Sequence, residues 1–417
     1  MTMDPALGDI DQGDVLVRDG RIVAVGRNLQ APDARRIDAR GQIVLPGFVD
    51  AHNHLYVTTM RGQFRNQQGQ FFAVSSRLAA QMTADDTYTA MHLGALELLA
   101  GGITTTGDFF DNVLSAAHGE AGLRALQDAG IRATLFYGGP DKTTRHPIDL
   151  IQLQALAQRQ SADGLVHMGL AWRLPRNRDD ADNWAMRQRE YDTARRLKLP
   201  IQVHVSGEAK PMFDALIQRG YLYRDLTLVH ATDATPEQLQ ALERAGGSLA
   251  LTPVSEQRVG YGLTRLDHFS DVTRLGLGID GNALAGSADM FASLRLAALT
   301  WSGGLLSEAA PDPRALLRLA THGGAETLGL SDEIGSITPG KRADLQVIAL
   351  DDVNLAGFAG GDPAALLVYS ARPENVRTVM VGGNLVKQNG TLRGIDTGLL
   401  QRAAQSATQV QERAQKP

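Results

Sequence analysis

Residues 41–55 read GQIVLPGFVDAHNHL. The apolar run Ile43–Val49 has the continuous, β-branched character of a strand that is buried on both faces. His52 and His54 follow it, and two histidines separated by one residue point the same way on an extended chain, so both rings can reach one ion. The stretch predicts a buried strand with a metal-binding pair at its carboxyl end.

Seven further apolar runs lie downstream, and a stretch with helical period follows each of them. Glycine stands where several of these helices should end, as at Gly101, Gly130 and Gly246. The runs are Ile103–Thr106, Arg132–Tyr137, Leu165–Ala171, Pro200–Val205, Leu226–Val229, Ser248–Leu251 and Leu275–Ile279. Eight strand–helix units predict an α/β fold, a closed (β/α)₈ TIM barrel.

The two ends of the chain have a different, β-rich pattern. Residues 13–26 read GDVLVRDGRIVAVG, in which a two-residue Asp-Gly sequence predicts a hairpin, and residues 336–350 and 376–390 contain further short strands. We expect both ends to form one small β-sandwich. The predicted division is 1–46 and 332–395 for the sandwich, 47–331 for the barrel, and 396–417 for a peripheral helix or tail.

Composition restricts the class of protein. The 417 residues carry a net charge of −5 without a basic stripe, and they contain no cysteine. Nucleic acid is therefore not an expected partner, and thiolate chemistry and cysteine-ligated metal sites are excluded. With no apolar run that could span a bilayer and no visible signal peptide, we expect a cytoplasmic protein without a membrane association.

Three more polar residues end predicted strands, namely His204, His230 and Asp280. In a barrel of this kind, reactive groups lie after the strands, at one face. Imidazole nitrogens and a carboxylate that converge there suit one divalent metal, Zn²⁺ or else Fe²⁺. The other six histidines lie within or before their elements, and we interpret them as structural or surface residues.

These segments together resemble the amidohydrolase superfamily. The resemblance begins with GQIVLPGFVDAHNHL and continues through AGGITTTGDF at residues 100–109 and the three strand-end residues. It closes with GSITPGKRADLQVI at residues 335–348 and covers nearly the whole chain. Within the superfamily, the chain is most similar to the branch of cytosine, guanine and S-adenosylhomocysteine deaminases and the triazine (chloro)hydrolases.

The resemblance implies that His52, His54, His204 and Asp280 bind one metal and that His230 and Asp280 are catalytic. Two-metal members carry a lysine or carboxylate after the third or fourth strand, where this chain has Tyr137-Gly and Trp172-Arg173. One metal is therefore expected. By analogy with the family, we expect a small-molecule substrate and consider a homodimer.

Two departures from the branch concern proton transfer. The His-x-x-Glu of the deaminases reads His204-Val-Ser-Gly-Glu208 here, one residue longer, so Glu208 either reaches the site through a bulge or points to solvent. In LTPVSEQRVGYG (residues 251–262), Glu256 replaces an asparagine. Glu256 could serve as the catalytic acid, bind an NH-rich substrate, or pair with Arg258 on the surface.

The predicted activity is hydrolysis of a carbon–nitrogen bond other than a peptide bond, by deamination of a heterocyclic or aromatic amine. A bound metal would supply hydroxide at neutral pH. Residues at strand ends that could contact the substrate are Trp172, Arg173, Tyr137 and Asp108. The alternatives are hydrolysis of an amide or displacement of halide from a ring, and a non-catalytic barrel paralogue.

Overall fold

The computed structural model describes residues 1–65, 67–140, 146–207 and 210–416. Its strands form a two-stranded, an eight-stranded and a five-stranded sheet. In chain order they are β1 (Asp14–Arg18), β2 (Arg21–Gly26), β3 (Gln42–Pro46), β4 (Phe48–Asn53), β5 (Ile103–Phe110), β6 (Arg132–Tyr137), β7 (Val166–Ala171), β8 (Ile201–His204), β9 (Leu226–Val229), β10 (Ser248–Leu251), β11 (Leu275–Leu277), β12 (Leu345–Ala349), β13 (Val376–Val381), β14 (Asn384–Gln388) and β15 (Thr391–Leu392).

Helices separate the strands of the eight-stranded sheet and continue beyond it. They are α1 (Phe71–Ala79), α2 (Ala84–Ala100), α3 (Ala116–Ala129), α4 (Leu150–Arg159), α5 (Ala181–Arg196), α6 (Met212–Gln218), α7 (Pro236–Arg244), α8 (Pro253–Arg258), α9 (Asn282–Ala285), α10 (Met290–Leu305), α11 (Pro313–Arg318), α12 (Gly324–Thr327), α13 (Pro363–Ser370) and α14 (Thr397–Gln415). None of these helices combines the length and the apolar character needed to cross a membrane.

The eight-stranded sheet confirms the predicted barrel. Strands β4 to β11 are parallel, and each is hydrogen-bonded to the next one along the chain. The Asp280 amide, just beyond β11, donates a 2.9 Å hydrogen bond to the His52 carbonyl in β4 and so joins the last strand to the first. The helix ends at Gly130 as predicted. Helix α3 stops at Ala129, and Gly130 follows with a φ of +71°, which suits glycine.

The first predicted strand differs from the observed one. The run Ile43–Val49 is divided at Gly47, with β3 in the five-stranded sheet and β4 in the barrel. A side chain at Gly47 would collide with Thr104, because an added Cβ would lie 2.1 Å from the Thr104 Oγ1 atom. A continuous apolar pattern does not reveal this change of sheet, since both strands are buried.

The β-rich ends of the chain meet in space. Strand β3 pairs with β12 in the order β15-β14-β13-β12-β3, and the hairpin β1–β2 packs its Ile22 against Leu345 of that sheet. Asp19 and Gly20 form the hairpin turn, both with positive φ, as the Asp-Gly sequence predicts. The exact division into domains stays a prediction.

A buried ion pair connects the barrel to the five-stranded sheet. Arg132 at the start of β6 contacts Asp344 through two hydrogen bonds of 2.7 and 3.0 Å, and the Gly382 amide donates to the same carboxylate at 2.6 Å. Both side chains are almost fully buried. Loss of one partner would leave the other charge unpaired in the interior, which is far more costly than loss of the pair as a whole.

We expect Asp344→Ala to lower the free energy of unfolding by about 3–5 kcal/mol, because Arg132 would lose its counter-charge in a buried site. Urea denaturation followed by fluorescence measures the change. Glu120→Ala is the control, since Glu120 pairs with Arg159 on the surface with both side chains about half exposed, and it should cost about 0–1 kcal/mol. Equal effects of the two substitutions would contradict the prediction.

Lys387 gives the stability a pH-dependent component. Its Nζ donates a 2.7 Å hydrogen bond to the Ala100 carbonyl at the end of α2, and burial lowers the pKa of Lys387 to about 8 from the ordinary 10.5. Between these two values the unfolded chain holds a proton that the folded chain has released. The folded state is therefore stabilised as the pH rises through this window.

We expect the melting temperature of Lys387→Met, relative to that of the unchanged protein, to fall as the pH rises from 8 to 10.5. The variant lacks the titrating amine and cannot gain the stability that deprotonation gives. Calorimetry at a series of pH values measures the difference, with Lys416→Met, at an exposed position, as control. A constant difference across this pH range would be inconsistent with the lowered pKa.

Candidate metal centre

Five of the predicted residues come together at the carboxyl end of the barrel. We call His52, His54, His204, His230 and Asp280 the histidine cluster. The Nε2 atom of His52 lies 3.1 Å from Asp280 Oδ1 and 3.2 Å from His204 Nε2. The Nε2 atom of His54 lies 3.4 Å from His204 Nε2 and 3.5 Å from Asp280 Oδ1.

Three histidines of the cluster are oriented through their other ring nitrogen. His52 Nδ1 donates to Gln202 Oε1 at 2.9 Å, and the amide nitrogen of Gln202 donates in turn to the Ala51 carbonyl. His54 Nδ1 donates to Asp111 at 3.0 Å, and His230 Nδ1 faces Glu256 at 3.2 Å. Acceptors at Nδ1 leave the lone pair on Nε2, as in metal-binding histidines generally.

The inner atoms of the cluster therefore conflict unless a cation lies between them. With their protons on Nδ1, His52 and His54 present lone pairs to a carboxylate oxygen of Asp280, so acceptors face acceptors. Ligands at 2.0–2.1 Å from a tetrahedral zinc ion are separated by about 3.3–3.4 Å. Because the contacts within the cluster fall near this separation, the residues fit one divalent metal.

Burial sets the charge of these groups. It lowers the pKa of His52 to about 4 and that of His54 below its usual range, while the pKa of His204 lies well below 6.5. Burial by itself raises the pKa of Asp280, but the nearby His230 and His52 outweigh this and lower it. At neutral pH His52, His54 and His204 are thus neutral imidazoles and Asp280 is an ionised carboxylate, which are the forms that bind metal.

Two sets of four residues could provide the ligands. His52, His204, His230 and Asp280 have one donor atom each within 4.8 Å of all the others. The set implied by the sequence has His54 in place of His230. His54 Nε2 lies nearer to Asp280 than His230 Nε2 does, at 3.5 Å against 4.0 Å, and this favours His54 as a ligand.

Two members of the cluster have a strained backbone. His230 has a φ of +73° and Asp280 a φ of +67°, in the left-handed region that residues other than glycine rarely adopt. Such conformations cost on the order of 1–3 kcal/mol each and persist where the surroundings determine them. Here the chain turns sharply at the end of β9 and after β11, and this turn directs both side chains toward the barrel axis.

Arg173 lies beside the cluster at the end of β7. Its guanidinium forms an ion pair with Asp111 and lies 5.7 Å from the centre of the Phe109 ring, which also contacts the rings of His54 and His204. Burial lowers the pKa of Arg173 to about 10, which still leaves it charged at neutral pH. A cation is therefore present where a substrate would meet the metal.

Two aromatic rings lie beside His230 at the carboxyl end of the barrel. The Tyr261 ring lies 5.3 Å from the His230 ring, and Phe72 stacks on Tyr261 at 6.5 Å. Phe72 is 50 % exposed although it is a large apolar residue. A flat ring could pack against these side chains.

The other predicted substrate contacts do not reach the cluster. Trp172 donates to the Arg187 carbonyl in α5, and the Tyr137 hydroxyl donates to Gln152 in α4. Successive side chains of a strand face opposite sides, and Phe136 and Ala171 occupy the barrel interior. Trp172 and Tyr137 consequently point outward into the helical layer, and we do not propose them as substrate contacts.

Two further predictions concern Asp108, which the structure describes, and Glu208, which it does not. Asp108 is fully buried and accepts a 2.8 Å hydrogen bond from the Leu55 amide, so it supports the segment that follows His54. Burial raises the pKa of Asp108 to about 7. Glu208 lies outside the described residues, and its role stays a prediction.

Glu256 is fully buried behind His230, so the surface pairing with Arg258 considered from the sequence is wrong. The Arg258 guanidinium donates instead to backbone carbonyls of Phe64, Ala283 and Leu284.

Sequence reasoning missed the residues that orient the histidines, Gln202 and Asp111. A signal for Gln202 was available, since a polar residue two positions before His204 in a buried strand faces the same side. Asp111 follows β5 in an ordinary loop sequence, and its contact with His54 depends on the three-dimensional fold.

Comparisons with known proteins agree with this geometry. The model of the amidohydrolase family matches residues 43–386. A 5′-deoxyadenosine deaminase of Methanobrevibacter smithii is 27% identical, over 97% of this chain and 95% of its own length. A 5-methylthioadenosine/S-adenosylhomocysteine deaminase of Natronomonas pharaonis is 29% identical, over 93% of this chain and 90% of its own.

Solved structures share the fold. An adenosine deaminase from Xanthomonas campestris with bound zinc superposes with a TM-score of 0.86 at 23% identity, over 99% of this chain and 97% of its own. A mutant atrazine chlorohydrolase from Arthrobacter aurescens, complexed with zinc and atraton, gives a TM-score of 0.82 at 25% identity, over 98% and 97% of the two chains.

We expect His54→Ala to lose most of its bound metal, whereas His230→Ala retains it, because His54 Nε2 is the better placed of the two nitrogens. Metal analysis of the purified variants measures the metal-to-protein ratio, with circular dichroism as the test of folding. His204→Ala should lose metal, and His92→Ala, in α2 beside Tyr88, should keep it. Metal retained by His54→Ala and lost from His230→Ala would assign His230 as the ligand instead.

Proposed function

Because the chain belongs to the amidohydrolase family, we propose that it is a zinc-dependent hydrolase that removes an amino group from a heterocyclic substrate as ammonia. One observation carries the proposal: the lone pairs of His52 and His54 face the ionised oxygen of Asp280 in a buried site. Only a cation makes that arrangement stable. Zinc is proposed because solved relatives contain it.

His52, His54, His204 and Asp280 would hold the metal. A divalent ion bound there lowers the pKa of water from about 15.7 towards 7, so that hydroxide is available at neutral pH. Asp280 is ionised and buried beside this position, and we propose that it accepts the proton of the attacking water. His230, on the other side of Asp280, would orient the attacked carbon and its substituent.

Arg173 and the aromatic pair would bind the ring. The Arg173 side chain is 17% exposed and close to Phe109, so its guanidinium can donate to a ring nitrogen or a carbonyl. Tyr261 and Phe72 offer flat ring faces beside His230. Homodimer formation and a cytoplasmic location stay predictions.

The relatives suggest a class of substrate. Relatives that cover nearly the whole chain are deaminases of 5′-deoxyadenosine and of 5-methylthioadenosine and S-adenosylhomocysteine. We therefore propose amino-substituted purines and their nucleosides as the first substrates to test. The rival activity is displacement of halide from a ring, which the likeness to a chlorohydrolase at 25% identity keeps open.

We expect the zinc-loaded protein to release ammonia from at least one amino-substituted ring in a panel of purines, purine nucleosides, pyrimidines, pterins and triazines. Each amine is tested beside its chloro analogue, with ammonia and chloride measured separately. A chelator should abolish the activity and added zinc restore it, and His204→Ala should be inactive while His92→Ala is unimpaired. Chloride release without ammonia would establish the rival, and a fully loaded protein inactive on the whole panel would contradict deamination of these classes.

A further inference from the structure

Glu256 is enclosed on every side by protein donors. It lies at 0% exposure in the first turn of α8. Its Oε1 atom accepts from the Thr252 amide at 2.8 Å and faces His230 Nδ1 at 3.2 Å, and its Oε2 atom accepts from the Thr264 hydroxyl. With both oxygens occupied behind His230, Glu256 can neither contact a substrate nor pass a proton to it directly.

The partners of Glu256 indicate the direction of its hydrogen bond to His230. A backbone N–H can only donate, so the Oε1 atom that receives it is an acceptor. As a carboxylate, Glu256 has no proton to give and can only accept, so His230 donates from Nδ1 and its Nε2 carries the lone pair on the side of Asp280, 4.0 Å from Oδ2. The Thr252 hydroxyl donates to Glu256 Oε1 at 3.4 Å, and its oxygen lies 3.1 Å from the same Nδ1 atom, where it can accept the same proton.

The ring of His230 depends on a hydrogen-bond partner for its orientation. Its φ of +73° and the φ of +52° at Ala231 place the side chain on a sharp turn, where ordinary strand geometry does not determine its direction. The ring is otherwise bounded by the rings of Tyr261 and His204, each at 5.3 Å between centroids, and of His52 at 5.8 Å, and such ring contacts do not by themselves prevent rotation. A hydrogen bond at Nδ1 prevents it.

We infer that Glu256 is a positioning residue, which holds His230 by Nδ1 and so presents Nε2 to the reaction centre. This role differs from those that the sequence suggested for Glu256. It gives a role to the glutamate that stands here in place of the asparagine of the deaminases that the chain resembles. The kinetic part of the test rests on the proposed function, and the spectroscopic part does not.

The kinetic test compares Glu256→Gln with Glu256→Leu in the zinc-loaded protein. The Thr252 amide selects the carbonyl oxygen of the glutamine, so Glu256→Gln keeps an acceptor at Nδ1 and should retain kcat within about threefold. Glu256→Leu has no acceptor and should lose about 10–100-fold in kcat with KM nearly unchanged, as when other orienting partners are removed. Both variants should keep their zinc, with Gln202→Leu, which frees His52, as the matched control that loses it.

Either of two kinetic results would overturn the inference. If Glu256→Leu is folded, zinc-loaded and as fast as the unchanged protein, Glu256 does not position His230. If Glu256→Gln is as slow as Glu256→Leu, the charge or a proton of Glu256 itself is required. A role confined to capping α8 would lower the melting temperature of Glu256→Leu and leave kcat unchanged.

A second measurement needs neither a substrate nor a variant at Glu256. In protein labelled with ¹⁵N-histidine, the signals of His230 are assigned by their loss in His230→Gln. We expect a protonated Nδ1 and an unprotonated Nε2, which is the minor form of free histidine. A proton on Nε2 with a bare Nδ1 would overturn the inference, even if Glu256→Leu fails to fold or no substrate has been found.

Discussion

The hydrogen bond from the Asp280 amide to the His52 carbonyl joins the last strand of the barrel to the first. It brings together two residues that are 228 positions apart in the chain, and their side chains then meet at 3.1 Å. Closure of the barrel and assembly of the metal centre are therefore one event. In a chain that failed to close the sheet, His52 and His54 would lie at one edge and Asp280 at the other.

Much of this architecture could be predicted from the sequence. Strands such as Arg132–Tyr137 and Leu226–Val229 have their predicted bounds, because a buried parallel strand is a short apolar run between two helices with clear ends. The histidine cluster was predictable for a related reason. Residues that follow parallel strands share one face of the barrel, so their meeting depends on strand order rather than on details of packing.

The remainder depends on side-chain direction and on loops. Trp172 and Arg173 are adjacent in sequence, yet one faces the helices and the other the metal centre, and a shift of one residue in the expected strand end exchanges them. Glu256 could be recognised as unusual from the sequence, but its burial behind His230 follows from the course of α8. The left-handed backbone at His230 and Asp280 could not be predicted either, because most histidines and aspartates have a negative φ.

The passage from the five-stranded sheet into the barrel has a mechanical consequence. Strands β3 and β4 are consecutive stretches of the chain, separated only by Gly47. Thr104 packs closely against Gly47 and leaves no space there for a side chain. The amino end of β4, the strand that leads to His52 and His54, is thus fixed to the five-stranded sheet through β3. We therefore expect any adjustment to a substrate at the carboxyl end of the barrel, in the segments around Phe72 and Tyr261, rather than at its amino end.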